Sequence, residues 1–202
     1  DFYNIEIERT NKNSTEIDCS ADKISWTRAL KNNLERGNKS QFNESFIVFS
    51  TYRPFCNEVL YFTKKWNEEI GKMKNIFPDT LSNICIAIPG KGCQKPFSPF
   101  IFNKIPSYDA MEKGQCFPLY WYEKVEHKQC GFFDTQDSDY VRHDGITDFI
   151  LEQARQIDFK ITKEDIFYYI YGLFHSKEYI SKYKNNLSKM LPRIPYCIDF
   201  WG

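Results

Sequence analysis

The sequence predicts an α+β fold, a β-rich central mixed sheet with an N-terminal helix and a C-terminal helical subdomain. Three observations predict it. From Ser45 to Glu123 the chain is rich in β-branched and aromatic residues broken by prolines and turns. After residue 143 apolar residues recur at helical spacing instead. The two textures follow one another and do not alternate, which argues against βαβ units. No internal repeat or low-complexity linker divides the chain, so one compact unit over 1–202 is expected. Its parts are an α/β entry segment (1–44), a β-rich lobe (45–142) and a helical scaffold (143–202).

Taken in order, "FYNIEIE" near the start alternates and reads as a strand. In "SADKISWTRALKNNLERG", Trp26, Leu30 and Leu34 fall in helical phase, with Ser20 or Asp22 as cap and Gly37 as stop. "SFIVFSTYRPF" and "EVLYF" are strands split by Pro54, and "NICIAIPGKG" has the continuous apolar run of a buried strand. "PFSPFIFNKIPSYD" and "GQCFPLYWYE" supply two more short strands, and "CGFFDTQDSDYVRHDG" reads as an acidic loop. Helices follow in "HDGITDFILEQARQI", in "TKEDIFYYIYGLF" with Thr162 and Asp165 close to a capping box, and in "SKEYISKYKNNLSKML" capped by Ser176. "PRIP" ends the last.

The middle of these helices, "KEDIFYYIYGLFHS", raises the question of a catalytic Tyr or His. Its apolar stripes, Ile166–Tyr169–Ile170–Leu173 and Phe167–Tyr171–Phe174, together cover most of the circumference. Such a helix is buried, and a tyrosine in it satisfies its hydroxyl on a backbone carbonyl. This stretch therefore reads as scaffold.

Composition excludes several classes. Hydrophobic residues make up 42% of 202, enough for a core. Lys+Arg and Asp+Glu are both 27, so no overall basic charge announces a nucleic-acid ligand. No apolar run approaches the roughly 18 residues of a membrane span, and no leader pattern opens the chain. The seven cysteines include no CxxC pair, which fits reduced thiols and a cytoplasmic setting. The chain begins with Asp and reads as a piece of a longer protein.

Catalytic signatures are missing. "PGKGCQKPFS" lacks the order of a P-loop, and a methyltransferase Gly-rich loop with an Asn-Pro-Pro-Tyr-like motif is absent. A nuclease pattern can be forced onto Pro78-Asp79 with Glu126 and Lys128, but its spacing is too long and its second half falls in a polar loop. Cys116, His127, Cys130 and His143 do not have the spacing of a known zinc module, so no metal site is assigned.

Several blocks resemble, in order, the C-terminal target-recognition region of the single-polypeptide (type ISP) type I restriction–modification enzymes, often labelled only as helicases. They are "ISWTRALKNNLERG", "STYRPFCNEVLYF", "NICIAIPGKGCQKPFSPFI", "GQCFPLYWYE", "DGITDFILEQA" and "ITKEDIFYYIYGLFHSKEYISKYKNNLSKMLPRIP…DFW". The resemblance spans about Ile24 to Trp201. It implies a non-catalytic module that reads a short asymmetric sequence in double-stranded DNA, with specificity set between Phe77-Pro78 and "GQCFPLY". It implies as partners the upstream methyltransferase and helicase-like ATPase domains of the same chain, and a nuclease. S-adenosylmethionine, ATP and Mg²⁺ would be bound in those parts, with no cofactor in this piece.

Charge distribution is compatible with DNA as a ligand. Residues 51–130 hold 11 Lys/Arg against 8 Asp/Glu, and no acid lies between Lys91 and Lys104. Lys91, Lys95 and Lys104 are candidate phosphate or guanine contacts, and Gln94 and Gln115 have the geometry to read adenine. Arg53, between aromatics, is a candidate phosphate clamp, with stacking or a buried ion pair as its structural alternative. Lys182, Lys184, Lys189 and Arg193, again without an intervening acid, offer a second backbone contact. Two competing readings remain at this level: a coupling module that docks the methyltransferase to the ATPase, and a nuclease remnant.

Overall fold

The computed structural model describes residues 2–67, 70–125, 139–195 and 200–201. The chain groups into two compact units, Asp1–Val48 with Val59–Gly71, and Phe49–Glu58 with Lys72–Gly202.

The first unit opens with a helix, α1 (Phe2–Arg9), where alternation had suggested a strand. Tyr3 and Ile7 satisfy both periods, being two strand repeats or one helical turn apart. Glu6 decides between them. It is buried on the same face, 2% exposed, and pairs with Arg9 one turn on, at 2.6 Å from Nε. The Arg9 hydrogen bond holds the Glu6 carboxyl below its ordinary range, against the opposing effect of burial. The same carboxylate accepts the Asp18 amide at 2.8 Å, so it ties the following turn to the helix.

The second helix, α2 (Arg28–Glu35), starts later than expected because Thr27 is its cap, accepting the Leu30 amide. Ser20 instead closes a local turn on Asp18, and Trp26 lies ahead of the helix, its indole donating to the Asp18 carbonyl. Gly37 follows at φ +69°, as the sequence reading required. Tyr3, Ile7, Leu30 and Leu34 form this unit's core, with Trp26 and Trp66 packed against it.

Strands β1 (Ile47–Arg53) and β2 (Cys56–Tyr61) come next, and the hairpin tip Phe49–Glu58 belongs to the second unit. That unit continues with α3 (Met73–Ile76), β3 (Cys85–Ile88), β4 (Phe100–Phe102), β5 (Ile105–Pro106), β6 (Gln115–Pro118), β7 (Tyr120–Lys124) and β8 (Tyr140–Asp144). It ends in α4 (Asp148–Arg155), α5 (Lys163–His175) and α6 (Lys177–Leu187). The α+β class holds, with the middle divided among small sheets ordered β2-β1-β5, β4-β3-β6 and β7-β8. The first is mixed, because β1 and β5 run parallel. More strands form than the sequence suggested: the prolines and turns around Asn103 and Leu119 cut two expected strands into four. Residues 140–144, read as part of an acidic loop, are β8, paired antiparallel with β7. The rest of that loop, with His127 and Cys130, lies outside the described residues.

All four residues of β3 are buried, as the apolar run implied. Ile86 and Ile88 face Phe167, Phe174, Tyr179 and Leu187 from α5 and α6. Cys85 lies on the opposite face. Its hydrogen bond to Cys116 and its burial push the thiol up, so it stays protonated. The capping box at Thr162 and Asp165 and the Ser176 cap are both formed. Tyr169 donates to the Pro195 carbonyl and Tyr179 to that of Arg193, each at 2.7 Å, so the aromatic helices clamp the segment that follows them. Among the described residues, no helix is long and apolar enough to cross a membrane.

Candidate nucleic-acid interface

The buried strand β3 ends at Ile88 and releases the loop "PGKGCQKP" from a fixed point. Gly90 lies against the 111–114 segment so closely that a Cβ would meet the Lys113 carbonyl oxygen at 2.1 Å. The Gly90 amide donates to the Glu112 carbonyl. Gly92, at φ +74°, turns the chain and donates to the Ser188 carbonyl at the end of α6. Glu112 holds the next two residues, accepting from the Cys93 thiol at 3.1 Å and the Gln94 amide at 3.3 Å. These two bonds hold its carboxyl below the ordinary range, while burial and the facing carboxylate push the Cys93 thiol up. Phe97 closes the loop by setting its ring edge-on to Phe174 of α5, centroids 5.5 Å apart.

Lys91, Gln94 and Lys95 are all exposed on this pinned loop. Gln115 is half-buried at the start of β6, opposite Ile88. Four of the six candidate residues therefore gather around the end of β3. Between the loop and α6 runs a groove of about 750 Å³, lined by Gln94, Lys95, Lys177, Ser181, Lys184 and Asn185 among others, with no acid in its described lining. The chain separates Lys95 from Lys184 widely, and the fold brings them to one groove. Lysines and amides suit phosphate oxygens and base edges, and the adjoining Glu112 carboxylate is engaged by the Cys93 thiol and the Gln94 amide.

Arg53 and Lys104 form a second group. Ser50 and Thr51 of β1 pair with Ile105 and Pro106 of β5, which brings the turn carrying Lys104 beside the hairpin. The Lys104 ammonium stands 5.6 Å from the Phe49 ring centre, and the Arg53 guanidinium 5.2 Å from that of Tyr52. The stacking alternative raised for Arg53 is thus present, and its exposure leaves phosphate contact open to it as well.

Two features were missed from sequence. Lys177 shares the α6 face with Ser181 and Lys184, a four-then-three spacing that periodicity could have revealed. Phe55 is 95% exposed and adopts φ +67° in the two-residue connection Pro54-Phe55. Proline suits the first position of such a turn, but the second ordinarily takes Gly or Asn. Holding a phenylalanine there costs on the order of 1–3 kcal/mol.

Among the described residues, no group of three or more His, Cys, Asp or Glu could hold a metal ion, and His127 and Cys130 of the considered set lie outside them. The Tyr120 hydroxyl, hydrogen-bonded to Glu164, is pushed up to about 12 and fastens β7 to α5.

The family model of the Type ISP C-terminal specificity domain matches residues 1–202. Among solved structures, the chain is similar to part of the DrdV–DNA complex determined by cryo-electron microscopy, with TM-score 0.80 and 32% identity over 98% of this chain and 18% of that one. It is also similar to part of the ATP-dependent Type ISP restriction-modification enzyme LlaBIII bound to DNA, with TM-score 0.77 and 28% identity over 96% and 12%. A third is a nuclease-deletion mutant of the Type ISP enzyme LlaGI in complex with a DNA substrate mimic, with TM-score 0.73 and 30% identity over 96% and 17%. The chain spans less than a fifth of each of these. No curated protein matches it.

Proposed function

Because this chain belongs to the Type ISP C-terminal specificity domain family, we propose that it reads a short sequence in double-stranded DNA for a larger restriction–modification protein and carries no catalytic step itself. The observation that carries this reading is the groove between the β3–β4 loop and α6, where Lys95, Lys177 and Lys184 stand with Gln94 and Asn185 and no acid is among the described lining residues, the adjoining Glu112 carboxylate being engaged by the Cys93 thiol and the Gln94 amide. The three structurally similar proteins were each solved with DNA or a DNA mimic, which supports the same assignment.

In this reading the lysines bind phosphates and fix the register of the duplex, while Gln94 and Gln115 address base edges. Glu112 acts indirectly, by holding the loop that presents Gln94. Arg53 and Lys104 give a second phosphate contact. Methyl transfer, ATP hydrolysis and strand cleavage, with S-adenosylmethionine, ATP and Mg²⁺, belong to other domains of the same polypeptide, which is a cytoplasmic enzyme.

The test is the salt dependence of duplex binding by the full protein. Each phosphate contact removed should flatten the slope of log K against log salt by about 0.9. The Lys95→Ala/Lys184→Ala variant is therefore expected to lose roughly two units of slope, with affinity falling about equally for all sequences. An unchanged slope would place the DNA elsewhere.

A further inference from the structure

The β1–β2 hairpin tip has features that a phosphate contact at Arg53 does not use. Phe55 is 95% exposed, so its one described ring contact leaves nearly all of the side chain open to solvent, and its positive φ is strained for any side chain of that size. The position is nevertheless firmly held. Thr51 donates to Asn57 across the tip at 3.1 Å, and the Ser50 hydroxyl to the Ile105 carbonyl at 2.8 Å. The Phe55 ring stands edge-on to Phe100, which stacks on the buried Phe102. A rigid base thus aims one apolar ring at solvent. From Phe49 to Asn57 the chain contains Arg53 and no acid, and Lys104 sits beside Phe49.

We infer that this tip is a DNA wedge, with Phe55 pressed into a base step of the bound duplex and Arg53 and Lys104 on the flanking phosphates. An apolar side chain that enters a step must displace stacking, so it has to be held rigid before contact and flanked by cations that keep the backbone near. The tip meets both requirements. DNA is the occupant the charges favour, because the cations Arg53 and Lys104 stand beside the exposed aromatics Tyr52 and Phe49, and the first acid along the hairpin, Glu58, comes three residues after Phe55. The inference rests on the DNA-reading assignment above and adds that the duplex is deformed where the tip meets it.

The test uses the full protein that carries this chain, with duplexes of a sequence it retains from a random pool, bearing 2-aminopurine at successive positions and saturated with protein. Wild type should raise the fluorescence at one step several-fold. Phe55→Ala should abolish that rise and weaken binding roughly tenfold, the scale of one lost base–aromatic contact, while Phe55→Leu, still an apolar wedge, restores the signal. Both variants should keep the wild-type melting temperature, since the side chain is exposed. Identical 2-aminopurine profiles for wild type and Phe55→Ala would overturn the wedge and leave the groove assignment standing. Loss of association with another protein, with the DNA signal intact, would overturn it in favour of a protein contact. Failure of wild type to bind any duplex would remove the DNA-reading assignment and the wedge together.

Discussion

Gly90→Ala is expected to cripple both the stability of the second unit and DNA binding. The added Cβ would stand 2.1 Å from the Lys113 carbonyl oxygen and 2.8 Å from the Lys113 Cβ. The nearest obstacle is backbone, which cannot rotate away. Overpacking of this kind costs about 1–3 kcal/mol, and the upper end applies here because one strand end or the other must move. Movement breaks the Gly90–Glu112 bond and unseats the loop bearing Lys91, Gln94 and Lys95. Thermal unfolding and duplex titration of the full protein would both register the change, with affinity falling at least as far as in the Lys95→Ala/Lys184→Ala variant. Gly172→Ala is the internal control. A Cβ there meets nothing within 4 Å on α5, so helix propensity should make it neutral or stabilising by up to about 1 kcal/mol.

Phe174→Ala should be comparably damaging by a different route. Phe174 is 4% exposed and packs in the cluster of Ile86, Ile88, Tyr179 and Leu187, with Phe97 of the recognition loop edge-on to its ring. Truncating a buried phenylalanine typically costs 3–5 kcal/mol through lost transfer energy and the cavity left behind. Protein that remains folded should bind DNA more weakly, because the loop loses its anchor on α5. Tyr169→Phe, on the same helix, removes a hydroxyl bonded to the Pro195 carbonyl. It should cost about 1 kcal/mol and leave duplex affinity nearly unchanged. Denaturant unfolding with parallel anisotropy titrations separates the two. A Tyr169→Phe protein that folds but cannot bind DNA would contradict the assignment of α5 as scaffold.

Local chemistry made much of this fold legible. Thr162 with Asp165, and Ser176, announce helix starts by hydrogen bonds to amides only three residues away, and both are formed. The run "CIAI" reads as a buried strand because it is apolar on both faces, too short for a helix, and closed by Pro89-Gly90. Errors arose where two periods share the same residues, as with Tyr3 and Ile7 in α1, or where pairing carries the structure without an apolar pattern. The polar strand "YVRHD" is of the second kind: it forms because its backbone pairs with β7, and Trp121 stacks on His143 across that pair at 4.0 Å.

The site divides along the same line. A stretch of lysines without acids pointed to Lys91 and Lys95. The same signal pointed to Lys184 as a second backbone contact, but that Lys177 and Lys184 complete the groove with Lys95 depends on α6 docking beside the β3–β4 loop, which is a tertiary fact. Phe55 gave even less warning, since its importance lies in a backbone conformation that its residue type disfavours.

The most direct test of the central claim is selection of bound duplexes from a random-sequence pool by the full protein, followed by sequencing of the retained DNA. The account predicts enrichment of one short asymmetric motif by wild type, with Gln94→Ala relaxing preference at one base pair of it. Retention without any enriched motif, with Gln94→Ala indistinguishable from wild type, would contradict it.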